Sequence, residues 1–331
     1  MEESSVSLKP VQLINLAKPE LITYEIENES HEITFYPCNT SIIKDCDNYI
    51  LNIRYVNYLI ETNEKLERTY VAKPNKMYIT INKYVKLNCN FEEIESKMLL
   101  PNIVNLEEKT QMIKEDRNVL IGIEDIRLHK FKNNIHYIGS HQYNPYVIGI
   151  VYGNYNCNDL NHVNKLLTNL KPQTPVYKTE YIQCEKNWSV YEMNNTLFVI
   201  YKWYPLQICE VFYDLNYIIL IKEIEMPFFF ENIRGSSGGF KYENEMWFLT
   251  HYINANTNGK YYHVFVIFDL QMNLKKYSQP FRFEGEYIEY CIGFIIENDN
   301  FIMTYSINDN CSKLGVYNKK ETVDSLTWYA Q

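Results

Sequence analysis

Glycine is scarce in this chain, with 11 in 331 residues. Turns that need positive φ must therefore be built largely from Asn and Asp. Long apolar runs are also missing. The longest, around Tyr217–Ile221 and Pro227–Phe230, is interrupted by Lys222, Glu223 and Glu225, too short and too charged to span a bilayer. Met1-Glu2-Glu3-Ser4 is acidic and is followed by no apolar h-region, so the sequence carries no secretory signal and reads as cytoplasmic. There is no basic excess: the net charge is −9, which argues against nucleic acid as the main partner. The cysteines at 38, 46, 89, 157, 184, 209, 291 and 311 form no C-x-x-C pair and have no His at zinc-finger spacing. Reduced, buried thiols are the expectation, with no metal and no cofactor. No P-loop, dinucleotide fingerprint or nucleophile elbow is present.

Aromatics are abundant, with 30 Tyr, 16 Phe and 4 Trp. Together with Ile, Val and Thr they favour strands. One pattern recurs five times, a turn residue followed by an alternating aromatic and aliphatic strand: Asn48–Tyr55, Asn133–His141, Asn194–Trp203, Asn244–Tyr252 and Asn298–Ser306. The spacings are 85, 61, 50 and 54 residues, blade-sized with one large insertion. An all-β propeller of five blades is predicted over 33–331, with the five copies as the inner strands. Residues 1–32 have no matching copy and read as an N-terminal extension. Short helical insertions are expected at Asn90–Met98, where Asn90 precedes Glu92 and Glu93, and at Asn158–Leu170. The tail from Lys319 is expected to include a strand that helps close the ring.

A polar segment precedes every copy. Counted from Asn39, Asp125, Asn187, Arg234 and Glu289, the next copy begins 9, 8, 7, 10 and 9 residues later. Equal offsets in equivalent units place these segments at one end of the ring. Within them, strand alternation puts Asp125 and Arg127 on one side, and Lys186 and Trp188 on another. A carboxyl that exchanges a proton at a bridging oxygen is what glycosyl transfer needs, and Asp125 is the candidate. Arg127 beside it would lower its pKa, so an ion pair competes with the acid role. Lys186 and Trp188 suit an anion and a sugar ring, or a salt bridge over a core Trp. Arg234 opens the only Gly-rich segment, Gly235-Ser236-Ser237-Gly238-Gly239, whose amides suit an anion or a plain tight turn. His251 and His263 lie on alternating strands of the fourth unit, either hydrogen-bonded in the core or touching phosphate or sugar. Asn39 and Glu289 complete the rim.

The ordered segments Gly122-Ile123-Glu124-Asp125-Ile126-Arg127, Glu185-Lys186-Asn187-Trp188, Arg234-Gly235-Ser236 and Tyr287–Gly293 with Tyr305–Asp309 resemble those of the five-bladed propeller family that contains the β-mannoside phosphorylases and related β-mannosyltransferases. The resemblance spans roughly residues 34–318. It implies Asp125 as the general acid of an inverting transfer, Lys186 and Arg54 as phosphate ligands, and Asp309 as a sugar ligand. Ile126 stands where the family pattern has Pro. Trp203-Tyr204 stands where phosphorylases tend to carry a His or Arg for phosphate, and this favours transfer from an activated sugar donor to a sugar acceptor. A propeller that has lost catalysis and binds a glycan or a protein is the alternative.

Overall fold

Each repeated Asn sits in or beside a tight turn. Lys132 and Asn133, Asn194 and Asn195, and Asn298 and Asp299 all have φ between 47° and 64°. Two successive residues at positive φ make the two-residue hairpin whose twist matches that of its strands, a conformation Asn and Asp tolerate best. In the computed structural model, which describes residues 6–26, 29–62, 68–72, 77–101, 119–144, 147–157, 165–169, 183–254 and 259–330, these turns join the first two strands of a blade. The copies are therefore second strands and not the innermost ones. The residues between each polar segment and its Asn run along the innermost strand.

The first blade runs Glu29–Asp45, Asn48–Val56, Met77–Leu87 and Glu93–Leu99, all antiparallel. The second runs Glu124–Phe131, Asn134–Asn144, Val147–Asn154 and Lys165–Asn169. The third runs Ser189–Met193, Thr196–Trp203, Leu206–Phe212 and Tyr217–Ile224. In the fourth, the innermost strand is split into Arg234–Gly235 and Phe240–Tyr242, followed by Glu245–Asn254, Lys260–Asp269 and Leu274–Ser278. The fifth has Glu289–Glu297, Asn300–Ile307 and Cys311–Asn318. Its outer strand is Gln12–Asn15, paired antiparallel with Cys311–Asn318. Part of the segment read as an N-terminal extension thus belongs to the last blade.

Five apolar interfaces close the ring. Ile50, Tyr84 and Leu99 meet Ile126 and Tyr137 between the first and second blades. Ile150 and Tyr152 meet Trp188 and Val199 between the second and third. Trp203 and Ile208 meet Phe248 and Phe268 between the third and fourth. Trp247 and Phe265 meet Phe294 and Phe301 between the fourth and fifth. Ile42 and Leu51 meet Ile295, Ile302 and Leu314, bringing the fifth back to the first. Each fully buried side chain of this size contributes about 1.5–3 kcal/mol, so the aromatic excess is spent on blade-to-blade packing.

Both helical expectations are corrected where the structure describes them. Asn90–Met98 is a turn and the outer strand Glu93–Leu99. Asn88, two residues earlier than the expected cap, accepts the N–H groups of Asn90 and Glu92, and the polar residues that suggested a helix form an exposed edge strand. Within Asn158–Leu170, residues 165–169 are a strand, and the remainder lies outside the described residues. Among the described residues the α-helix is Lys319–Ser325, capped by Asn318, whose side chain accepts the Glu321 N–H. Beyond it Trp328–Ala330 pairs with Leu274–Ser278 on the fourth blade, so the tail's strand does not close the ring. Among the described residues, no helix is long and apolar enough to cross a membrane.

Candidate functional site

The innermost strands begin at one mouth of the channel, and three of them are bulged, the fifth blade's between Cys291 and Gly293. The register of the first blade shifts between Pro37 and Thr40, and that of the second between Glu124 and Arg127. Bulges re-aim side chains. Asp125 sits in the second bulge with φ +48°, an uncommon conformation for a residue with a side chain. The alternation that would place Asp125 and Arg127 side by side is broken as a result. Glycine makes room nearby: a Cβ on Gly122, at φ +90°, would lie 2.0 Å from the Thr80 carbonyl oxygen, and one on Gly235 2.4 Å from that of Asn187.

The Asp125 carboxylate is held by the first blade. Arg54 Nη1 donates to Asp125 Oδ1 at 2.9 Å and Asn39 Nδ2 donates to the same oxygen at 2.8 Å. Arg54 also binds Glu124 and reaches Thr80. Asn39 takes a hydrogen bond from Ser306 of the fifth blade. Burial works against the charged form of Asp125, but Arg54, Arg127, the Asn39 amide and Lys186 together hold its pKa below the ordinary value. Asp309, in the turn after the second strand of the fifth blade, accepts from Tyr58 Oη at 3.2 Å. Burial raises its pKa, and Arg54 only partly offsets this.

Arg127 ties the ring together from the axis. Its Nε donates to the Ser236 carbonyl at 2.6 Å, Nη1 to the Asp125 carbonyl at 3.0 Å, and Nη2 to Tyr290 Oη at 2.8 Å and Asn187 Oδ1 at 3.3 Å. One guanidinium thus engages the second to fifth blades. It is 4% exposed and presents little surface to a ligand. On the far side of Asn187 a cavity of about 450 Å³ opens, lined among others by Lys186, Lys202, Tyr204, Glu231 and Arg234. Lys186, Lys202 and Arg234 are exposed.

The other expected contacts fall elsewhere. Trp188 is buried between the second and third blades, donating to Glu185 and packed on Tyr201. Trp203 is buried among Phe230, Phe248 and Phe268 and only backs the cavity. His263 lies in the wall of the fourth blade against Phe281 and Phe283 and accepts the Cys291 N–H. Glu289 is fully buried, its carboxylate accepting the N–H groups of Phe283, Glu284 and Glu286. It organises that loop. His251, also buried, bonds Ser236 Oγ and stands against Tyr290. In each case the bulky or ionisable side chain is consumed by packing or by backbone amides, a fate that residue type does not reveal.

Lys202 and Tyr58 hold positions that sequence reading did not single out. Lys202 lies one residue before the end of the third repeat copy, so the strand end held its signal.

No family model matches the chain, and no curated protein sequence matches it. Solved structures do. A glycosyl hydrolase from Bacteroides ovatus is 10% identical, with 96% of this chain and 94% of that one covered at a TM-score of 0.63. The β-1,2-mannobiose phosphorylase from Listeria innocua is 13% identical, with 98% and 97% covered at 0.57. A structure from the GH130 family of mannoside phosphorylases, which contains glycoside hydrolases that target β-1,2 mannosidic linkages in Candida mannan, is 10% identical, with 97% and 96% covered at 0.61. The chain is a five-bladed β-propeller with the fold of these mannoside-active proteins.

Proposed function

We propose that the channel mouth is a glycosyl-transfer site, taking a sugar whose anomeric carbon carries a phosphate group or passes to phosphate. The observation that carries this reading is a carboxylate held ionised by Arg54 and Asn39 and acted on by Lys186, a cation that with Lys202 and Arg234 lines a cavity. The cations stabilise the charge of a phosphate or of a phosphate-bearing leaving group. The shared fold with the Listeria innocua mannobiose phosphorylase supports a mannosyl group as the unit transferred.

In the transfer direction, the acceptor hydroxyl oxygen attacks the anomeric carbon and its proton passes to Asp125. The bond from that carbon to the phosphate oxygen breaks, and its electron pair stays on the phosphate, held by the cations. Attack from the opposite face inverts the anomeric centre. In reverse, phosphate attacks and Asp125 returns the proton to the departing sugar oxygen. A depressed Asp125 pKa means that the resting group is the carboxylate that takes the acceptor's proton. The test is a screen of nucleotide sugars and sugar 1-phosphates, with and without mannoside acceptors, read by mass detection of products. Products absent throughout, with sugar binding retained, would select the non-catalytic binder.

A further inference from the structure

The two carboxyls at the mouth differ in their partners. Asp125 receives a guanidinium N–H and an amide N–H on one oxygen. Asp309 receives a single neutral phenol O–H, from Tyr58 at 3.2 Å, and makes no ion pair among the described residues. We infer that Asp309 holds its resting proton more tightly than Asp125, so that a ligand meets a hydrogen-bond donor carboxyl on the fifth blade and an acceptor carboxylate on the second. The inference rests on the glycosyl-transfer reading for its role and on geometry for its content.

The groups around Asp309 come from four elements. Tyr58 stands at the start of the hairpin Tyr58–Thr62 and Arg68–Ala72, Arg54 on the second strand of the first blade, Cys38 on its innermost strand, and Glu124 and Asp125 on the innermost strand of the second. Arg54 is the one cation among them, and its guanidinium is already committed to Glu124 and Asp125. Burial pushes the Asp309 pKa up, Arg54 opposes it, and the Asp125 charge adds to the rise; the Tyr58 bond lowers it. Asp125 moves the other way. Two acids whose surroundings drive them apart divide their roles, one giving a hydrogen bond and the other accepting one. A sugar oxygen can thus accept from Asp309 while a hydroxyl donates to Asp125, which makes Asp309 a ligand-orienting group.

The experiment is a pH titration of the full chain labelled with ¹³C at the aspartate carboxyl carbons, with no substrate present. The resonance missing from Asp309→Asn should titrate above the ordinary aspartate value, and above the resonance missing from Asp125→Asn. Tyr58→Phe removes the one hydrogen bond that Asp309 accepts among the described residues, so it should raise the Asp309 midpoint further and leave that of Asp125 in place. It also identifies the resonance if Asp309→Asn does not fold. An Asp309 midpoint at or below the ordinary value, or below that of Asp125, overturns the inference. Since no turnover is measured, that result stands apart from the outcome of the donor and acceptor screen.

Discussion

Arg54 Nη1 lies 2.9 Å from Asp125 Oδ1, joining the second strand of the first blade to the innermost strand of the second. The Arg127 guanidinium, two residues along the chain, hydrogen-bonds Asp125 at its carbonyl oxygen and not at its carboxylate. The charge that governs Asp125 therefore comes from a position 71 residues away in the chain.

Asp125→Asn keeps an oxygen for Arg54 and Asn39 but cannot exchange a proton. Turnover on the substrate found by the screen should fall about 10²–10⁴-fold. Because Arg54 retains Glu124, the melting temperature should fall only modestly. A destabilised variant with full turnover would remove Asp125 from the chemistry.

Arg54→Met should cost more stability than any other change at the mouth. It leaves Glu124 and Asp125 without their cation, and breaking a buried pair costs about 3–5 kcal/mol. Urea unfolding measures this. A loss under about 1 kcal/mol would show that solvent compensates the two carboxylates.

Lys202→Gln and Arg234→Gln should each weaken inorganic phosphate about three- to tenfold, with the effect shrinking as salt rises. Both side chains are exposed, so stability should stay within about 0.5 kcal/mol. Calorimetric titration at two ionic strengths reads both. Unchanged phosphate affinity in the two variants would mean the cavity is not an anion site.

Acid should destabilise the fold through its buried histidines. Burial lowers the pKa of His129 and His263 to about 3, with His136 adding to the effect on His129 and Arg282 to that on His263. The unfolded chain protonates them near the ordinary value of about 6.5. Below that pH the unfolded state binds more protons, so stability falls as pH drops towards 3, by up to about 1.4 kcal/mol per unit for each histidine. His263→Gln should flatten the dependence between pH 6 and 4 by about that slope. Equal slopes for the variant and the wild type would place a charged His263 in the folded protein.

The blade count and the end of the ring that carries the polar segments were legible because they are periodic. A turn containing Asn or Asp followed by alternating aromatics recurs wherever a blade is made. Strand order within a blade was not legible. The innermost strand Ser189–Met193 is short and partly polar, whereas the second strand Thr196–Trp203 carries the stronger apolar pattern and draws the eye. Glu93–Leu99 was hidden for a related reason, since an exposed edge strand has the composition of an exposed helix.

The sequence by itself determined that the chain repeats, that its turns are made by Asn and Asp, and that Asn39, Asp125, Asn187, Arg234 and Glu289 head equivalent strands. Only the tertiary structure decided which of them face a ligand. Glu289 and Asp125 are both carboxylates at the head of an innermost strand. Glu289 is consumed by three backbone amides of its own loop, while Asp125 is turned by a bulge towards Arg54 and the channel mouth. Local spacing sets where a side chain starts. Closure of the ring sets the partners that reach it, because those partners come from other blades and share no sequence neighbourhood with it.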